Sequence, residues 1–220
     1  YDYVRYPANH RLAPLSADEQ HRDQVSPKLG LIYAPWDRTT LRGAYLRCLG
    51  GVSFDQSFQL EPSQVAGFIQ SYRSLMPESV AGSVAAPFYE TWHLSLEQRI
   101  GRDTYLGLGG EVLFSDADRE VGVFDLVNLN PPFSPSTTAE KLEFRERSLA
   151  VYANQLIGDQ WVVGAQYRLS EAQLDTVFPE FPDAVRGATS EEQAVLQELR
   201  LFTVWNHPSG WFAELDAVWR

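Results

Sequence analysis

The sequence predicts an all-β protein: an antiparallel transmembrane β-barrel segment of about nine strands, with short periplasmic turns and long extracellular loops. Three observations predict it. Apolar and polar residues alternate with period two in repeated stretches of about nine to eleven residues. Short connections rich in Gly, Pro, Asn and Asp alternate with long segments. Tryptophans stand at the ends of the apolar faces, where a ring with one polar N–H suits a membrane–water boundary.

Composition permits this reading. The chain has 220 residues, 44% hydrophobic and 21% charged, which is ordinary for a water-exposed protein. No run of eighteen apolar residues occurs, so no transmembrane helix is expected. A barrel needs none, because only alternate residues face lipid. A net charge of −11 argues against nucleic-acid partners, whose phosphates demand a basic surface. The single cysteine, Cys48, fits no disulfide, zinc or redox pattern.

The elements follow in order. Residues 1–6, "YDYVRY", read as the end of a strand. In "VSPKLGLIYA", Val25, Leu29, Leu31 and Tyr33 oppose Ser26, Lys28 and Gly30. After a turn at 35–39, Leu41, Gly43 and Tyr45 oppose Thr40, Arg42 and Ala44. In "TWHLSLEQRI", Trp92, Leu94, Leu96 and Ile100 oppose His93, Ser95, Glu97 and Arg99. Beyond the turn at 101–103, Leu106, Leu108, Val112 and Phe114 oppose Tyr105, Gly107, Gly109 and Glu111. Next, Leu149, Val151 and Ala153 oppose Ser148, Tyr152 and Asn154. A turn at 158–160 leads to Trp161, Val163, Ala165, Tyr167 and Leu169, opposite Gly164, Gln166, Arg168 and Ser170. Leu199, Leu201 and Trp205 oppose Glu198 and Arg200. A last turn at 206–210 precedes Trp211, Ala213, Leu215, Ala217 and Trp219, opposite Glu214 and Asp216. Trp211 and Trp219 are about 26 Å apart along a strand, near the height of an outward apolar band. Long loops are expected at about 7–24, 48–88, 116–141 and 171–194.

Expected sites follow from the alternation. Arg42, His93, Glu97, Arg99, Glu111, Arg168, Glu198, Arg200, Glu214 and Asp216 form a polar, lumen-facing set. They are either a ladder of cross-strand charge pairs or a wall that tunes passage. Trp92, Trp161, Trp205, Trp211 and Trp219 form the aromatic girdle. Arg145 and Arg147 share parity with Leu149 just beyond the apolar stretch, where guanidinium groups suit lipid phosphate; a bulge would turn them inward instead. His93, Ser95 and Glu97 could form a catalytic set, but residues two apart on one strand have little freedom to converge, so no enzyme is expected. The acidic segments carry no calcium-loop spacing, and no metal or cofactor is expected. Phe133, Phe178 and Phe181 either stack on ligands or pack the loops. "GLGGE", within a strand, reads as close packing or curvature rather than a phosphate loop.

"SPKLGLIYAPWDRTTLRGAYLR" (residues 26–47) resembles the barrel hairpin of TonB-dependent outer-membrane receptors. There a Ser-Pro-Arg/Lys-x-Gly-Leu strand precedes a short turn and a Thr-Leu-Arg-x-x-Tyr-x-Arg strand. The "YDYVRYP" start is similar to the end of such a strand. The resemblance implies a solute-transporting barrel in the outer membrane of a Gram-negative bacterium. Its partners would be outer-membrane lipid, a small solute or oligosaccharide, and a TonB-type periplasmic energiser acting on a plug outside this chain. The following "CLGGVSFDQSF" departs from the family's Phe-Arg-x-Pro stretch and resembles barrels preceded by tetratricopeptide arrays. A passive porin or polysaccharide-export barrel fused to a helical repeat array is therefore an alternative. A soluble β-sandwich carbohydrate-binding module is another. About nine strands, with one at each end of residues 1–220, predict a single but incomplete portion of a larger barrel.

Overall fold

The computed structural model describes residues 1–6, 8, 19–49, 64, 65, 68, 69, 87–125, 134–182 and 185–220. Every regular element among them is a β-strand. These are β1 (Asp2–Tyr6), β2 (Gln20–Gln24), β3 (Lys28–Trp36), β4 (Thr39–Leu49), β5 (Gln64–Val65) and β6 (Phe68–Ile69). They continue with β7 (Phe88–Ile100), β8 (Thr104–Asp125), β9 (Ser134–Ile157), β10 (Trp161–Val177), β11 (Thr189–Asn206) and β12 (Phe212–Trp219). Eight form one antiparallel sheet in the order β12-β11-β10-β9-β8-β7-β4-β3. The all-β antiparallel fold expected from the alternation is the fold observed. Within the described chain this sheet stays open, its outer strands being β3 and β12.

Two expectations are corrected. Residues 1–6 do not join the large sheet: β1 pairs with β2, inside a segment expected as loop. Residues 116–141 and 171–194 are mostly strand, because β8 and β9 run on to Asp125 and Ser134, and β10 and β11 to Val177 and Thr189. The alternation does not stop there; it changes phase. Below, apolar side chains point one way. Above, Leu113, Ala117, Leu142, Phe144 and Leu174 point the other way and bury together. Leu113 is 1% exposed, so its burial contributes roughly 1.5–3 kcal/mol. A period-two pattern that switches face reads as two short strands with a break, which hid the continuity. The short β5–β6 pair lies in the segment expected as the 48–88 loop. Residues 50–63, 66, 67 and 70–86 of that segment, and residues 126–133 with Phe133, fall outside the described residues.

The four expected turns are present, with Gly101, Gly158 and Gly210 at φ of 63°, 59° and 92°. That left-handed conformation is open to glycine without a Cβ penalty. Pro35, which has no N–H for a ladder, falls at the irregularity between Tyr33 and Trp36, on an outer strand.

The register carries geometric information. The row through Trp36 and Thr39, which closes the first hairpin, continues through Gln98, Leu106, Ala153, Ala165 and Leu201. The next hairpin reaches on to Ile100 and Thr104, the third to Ile157 and Trp161. Each turn thus lies about two residues further along than the last. At about 3.3 Å per residue and about 4.8 Å between strands, levelling the turns requires the strands to lean by roughly 35°. Strands in closed barrels lean by about that much.

Candidate functional site: the two faces of the sheet

One row crosses all eight strands: Tyr33, Leu41, Leu96, Leu108, Val151, Tyr167, Leu199 and Trp219. Every member is apolar or aromatic, and all but Leu41 are exposed. The parity read from each strand separately therefore meets in register across the whole sheet. In the next two rows Leu94 is 59% exposed and Trp92 52% exposed. The opposite face holds the buried polar groups Thr91, His93, Ser115, Thr138, Glu140 and Ser170. A water-soluble sheet buries its apolar face and wets its polar one. Here the apolar face is the exposed one, and the other face holds these polar groups together with the apolar cluster of Leu113, Ala117, Leu142, Phe144 and Leu174.

The expected polar set lies on that second face. Arg42 Nη2 meets Glu97 Oε2 at 3.3 Å, and His93 Nδ1 meets Glu111 Oε2 at 2.9 Å. Arg168 reaches Glu146 at 3.4 Å and donates from Nε to Ser170 Oγ at 3.1 Å. Arg200 meets Asp216 at 2.5 Å and Glu214 at 3.8 Å, while Arg220 meets Glu198 at 2.7 Å. Arg99 stands at the turn end, its guanidinium 5.8 Å from the centre of the Tyr105 ring. These are mostly cross-strand pairs of opposite charge. His93 meets Glu111 on β8, and Glu97 meets Arg42 on β4.

Four participants were not visible as such in the sequence. Arg119 and Glu140 sit where loop was expected, and Glu146 lies between that segment and the stretch read as strand. Arg119 pairs with Glu140, their side chains only 12% and 9% exposed. Tyr152 reaches across β8 to donate to Glu97 Oε1 at 3.1 Å. That contact depends on Gly107, which lies between them in register, and any Cβ there would overlap the Tyr152 ring. Gly164 gives way to the Phe202 ring in the same manner. Of the two roles expected for "GLGGE", close packing is seen at Gly107, whereas a Cβ at Gly109 or Gly110 would meet only ordinary contacts.

The aromatic residues lie at both ends of the exposed apolar face. Tyr45 and Trp92 pack with ring centres 4.4 Å apart at the end away from the turns. Trp161 and Trp205 lie 6.0 Å apart at the turn end, and Trp211 follows the last turn, just before β12. Trp219 pairs with Leu199, in the row of Tyr167, within the apolar face rather than at its far edge. A groove of about 530 Å³ crosses this face where its residues are small, among them Ala153, Ala165 and Ala217. Arg145 and Arg147 are exposed and share the apolar parity; the ladder of β9 with β10 runs past them without a shift, so no bulge turns them.

Of the acidic residues expected in loops, Asp116, Asp175 and Glu191 stand on strands and share one row with Glu143. Among the described residues no group of three or more His, Cys, Asp or Glu is arranged to hold a metal ion. Phe178 and Phe181 pack edge to face, 6.3 Å between centres. Cys48 is buried. Among the described residues no helix is long and apolar enough to cross a membrane, which says nothing of strands. No family model, curated protein or solved structure matches this chain.

Proposed function

We propose that this chain forms part of the wall of an outer-membrane β-barrel whose polar face lines an aqueous passage for a small solute or oligosaccharide. The observation that carries this reading is the eight-strand apolar row, exposed on one side of a sheet whose other side buries ion pairs. In lipid that arrangement is the favourable one, because the apolar face meets acyl chains and the polar face meets water. A soluble sandwich would cover such a face with a second sheet about 10 Å away. The strand lean, the aromatic residues at both ends and the alternation of short turns with longer connections support the same reading.

Among barrels, the residue 26–47 hairpin favours a TonB-dependent receptor-like protein, with an energiser acting through a plug in another part of the protein. Arg42, Arg168 and Arg200 are each paired with a carboxylate, so that part of the wall suits a polar solute without strong selection for either charge sign.

Adjacent cysteines test the wall directly. In the full-length protein, in membranes and with Cys48→Ser, Val151→Cys should react with a lipid-soluble maleimide and resist a sulfonated one. Ala150→Cys should react with the sulfonated reagent. Equal reaction of both with the sulfonated reagent would overturn the reading.

A further inference from the structure

Three arginines stand apart from the paired ones. Arg47 on β4, and Arg145 and Arg147 on β9, share the parity of the apolar face and lie at its end away from the turns. Tyr45, Trp92, Val112 and Arg147 form one row, and Arg47, Glu90, Phe114 and Arg145 form the next row outward. Two of the three are braced by rings on the neighbouring strand. The Arg47 guanidinium lies 4.7 Å from the centre of Phe88, and that of Arg145 lies 5.3 Å from the centre of Phe114. A guanidinium stacked by its face keeps its edge N–H groups for a bidentate acceptor.

None of the three closes an ion pair with a carboxylate, although Arg47 acts at longer range on Asp116. On the polar face Arg42, Arg119, Arg168 and Arg200 each pair with an acid. Arg47, Arg145 and Arg147 form no ion pair among the described residues, in a chain with 29 acidic and 18 basic residues. The carboxylate nearest in register to Arg47, Glu90, accepts instead from Trp92 Nε1 at 2.9 Å. Glu171 stands opposite Arg147 without pairing to it. Directly below lie Tyr45, Trp92 and Val112, and then the apolar rows.

We propose that Arg47, Arg145 and Arg147 form a collar that binds the phosphate groups of membrane lipid at the edge of the apolar band, on the side of the strand extensions. This rests on the proposed barrel wall. Its occupant follows from continuity and charge: a ligand that meets the apolar rows with hydrocarbon and the collar with an anion is a phosphorylated lipid.

The test uses the full-length protein reconstituted into phosphatidylcholine vesicles with and without phosphatidic acid, then extracted in mild detergent. Retained lipid is counted by mass spectrometry. The protein should enter pure phosphatidylcholine, and from the mixture it should retain phosphatidic acid over phosphatidylcholine by about tenfold or more. Arg47→Gln/Arg145→Gln/Arg147→Gln should enter pure phosphatidylcholine equally well and lose that preference. The corresponding triple Lys variant, which keeps charge but not the bidentate fork, should fall between. Millimolar inorganic phosphate should not compete. Equal retention of the two lipids by the unaltered protein would overturn the collar, even if the Gln variant failed to fold. So would a preference that survives the Gln substitutions, or full competition by inorganic phosphate, which would mean a site for the free ion. Failure of the unaltered protein to enter phosphatidylcholine would overturn the wall reading, and the collar with it.

Discussion

Tyr152 lies across the bare Cα of Gly107 and places its hydroxyl 3.1 Å from Glu97, two strands away. The glycine leaves a gap in the polar face, and the ring fills it from the next strand. Gly107→Ala should therefore lower stability by about 1–3 kcal/mol, the usual cost of forcing extra volume into a packed site. Tyr152→Ala in the same chain should remove most of that cost. A double-mutant cycle from urea unfolding measures the coupling. Additive losses would mean that the two residues do not share this space.

The two faces should respond in opposite ways to the same charge. Val151 belongs to the exposed apolar row, and Ala150 beside it points to the polar face. Val151→Arg should cost about 2–4 kcal/mol in a bilayer, as a cation near the middle of a lipid-facing band does. Ala150→Arg should cost much less. Unfolding from phosphatidylcholine vesicles compares them, and similar costs would count against a lipid-facing row.

Much of the sheet was legible because period-two alternation is local: each strand of the large sheet could be read from its own residues. The parity of Leu96 and of Leu199 needs no knowledge of the other. What was not legible depends on register or on a change of phase. Glu146 partners Arg168, and Tyr152 partners Glu97, only because β8, β9 and β10 align as they do. Beyond Leu113 and Phe144 the apolar parity crosses to the other face, so a strand of 24 residues such as β9 reads as a loop followed by a shorter strand. Residues 1–6 have strand-like alternation, but nothing local says that β2 is their partner.

Arg119 and Glu140 are the most enclosed ion pair among the described residues. Each alone would be a nearly buried charge without compensation. Arg119→Met or Glu140→Gln should each cost about 3–5 kcal/mol, whereas Arg119→Met/Glu140→Met should cost far less, because no charge is then stranded. Thermal or urea unfolding of the three variants gives the comparison. A double variant as damaged as the singles would mean that the pair acts through more than its mutual charge.

Asp116 provides a pH dependence with a definite sign. It lies on the extended part of β8, beyond the apolar band, beside a recess of about 350 Å³ that also holds Asp118 and Glu143. Burial raises its carboxyl above the ordinary value of 3.8; Asp118 and then Glu143 add to this, and Arg22 and Arg47 oppose it. A raised folded-state value means that the folded chain holds this proton more tightly than the unfolded chain. The stabilisation is full below the unfolded value and is lost as pH rises through the folded one. At neutral pH the ionised carboxylate therefore works against the fold. Asp116→Asn should stabilise the protein at neutral pH, and its advantage should shrink steadily on acidification towards 3.8. Urea midpoints of both proteins between about pH 3 and pH 8 would show this convergence. An advantage that grew as pH fell would reverse the sign and exclude partial desolvation of Asp116 as its cause.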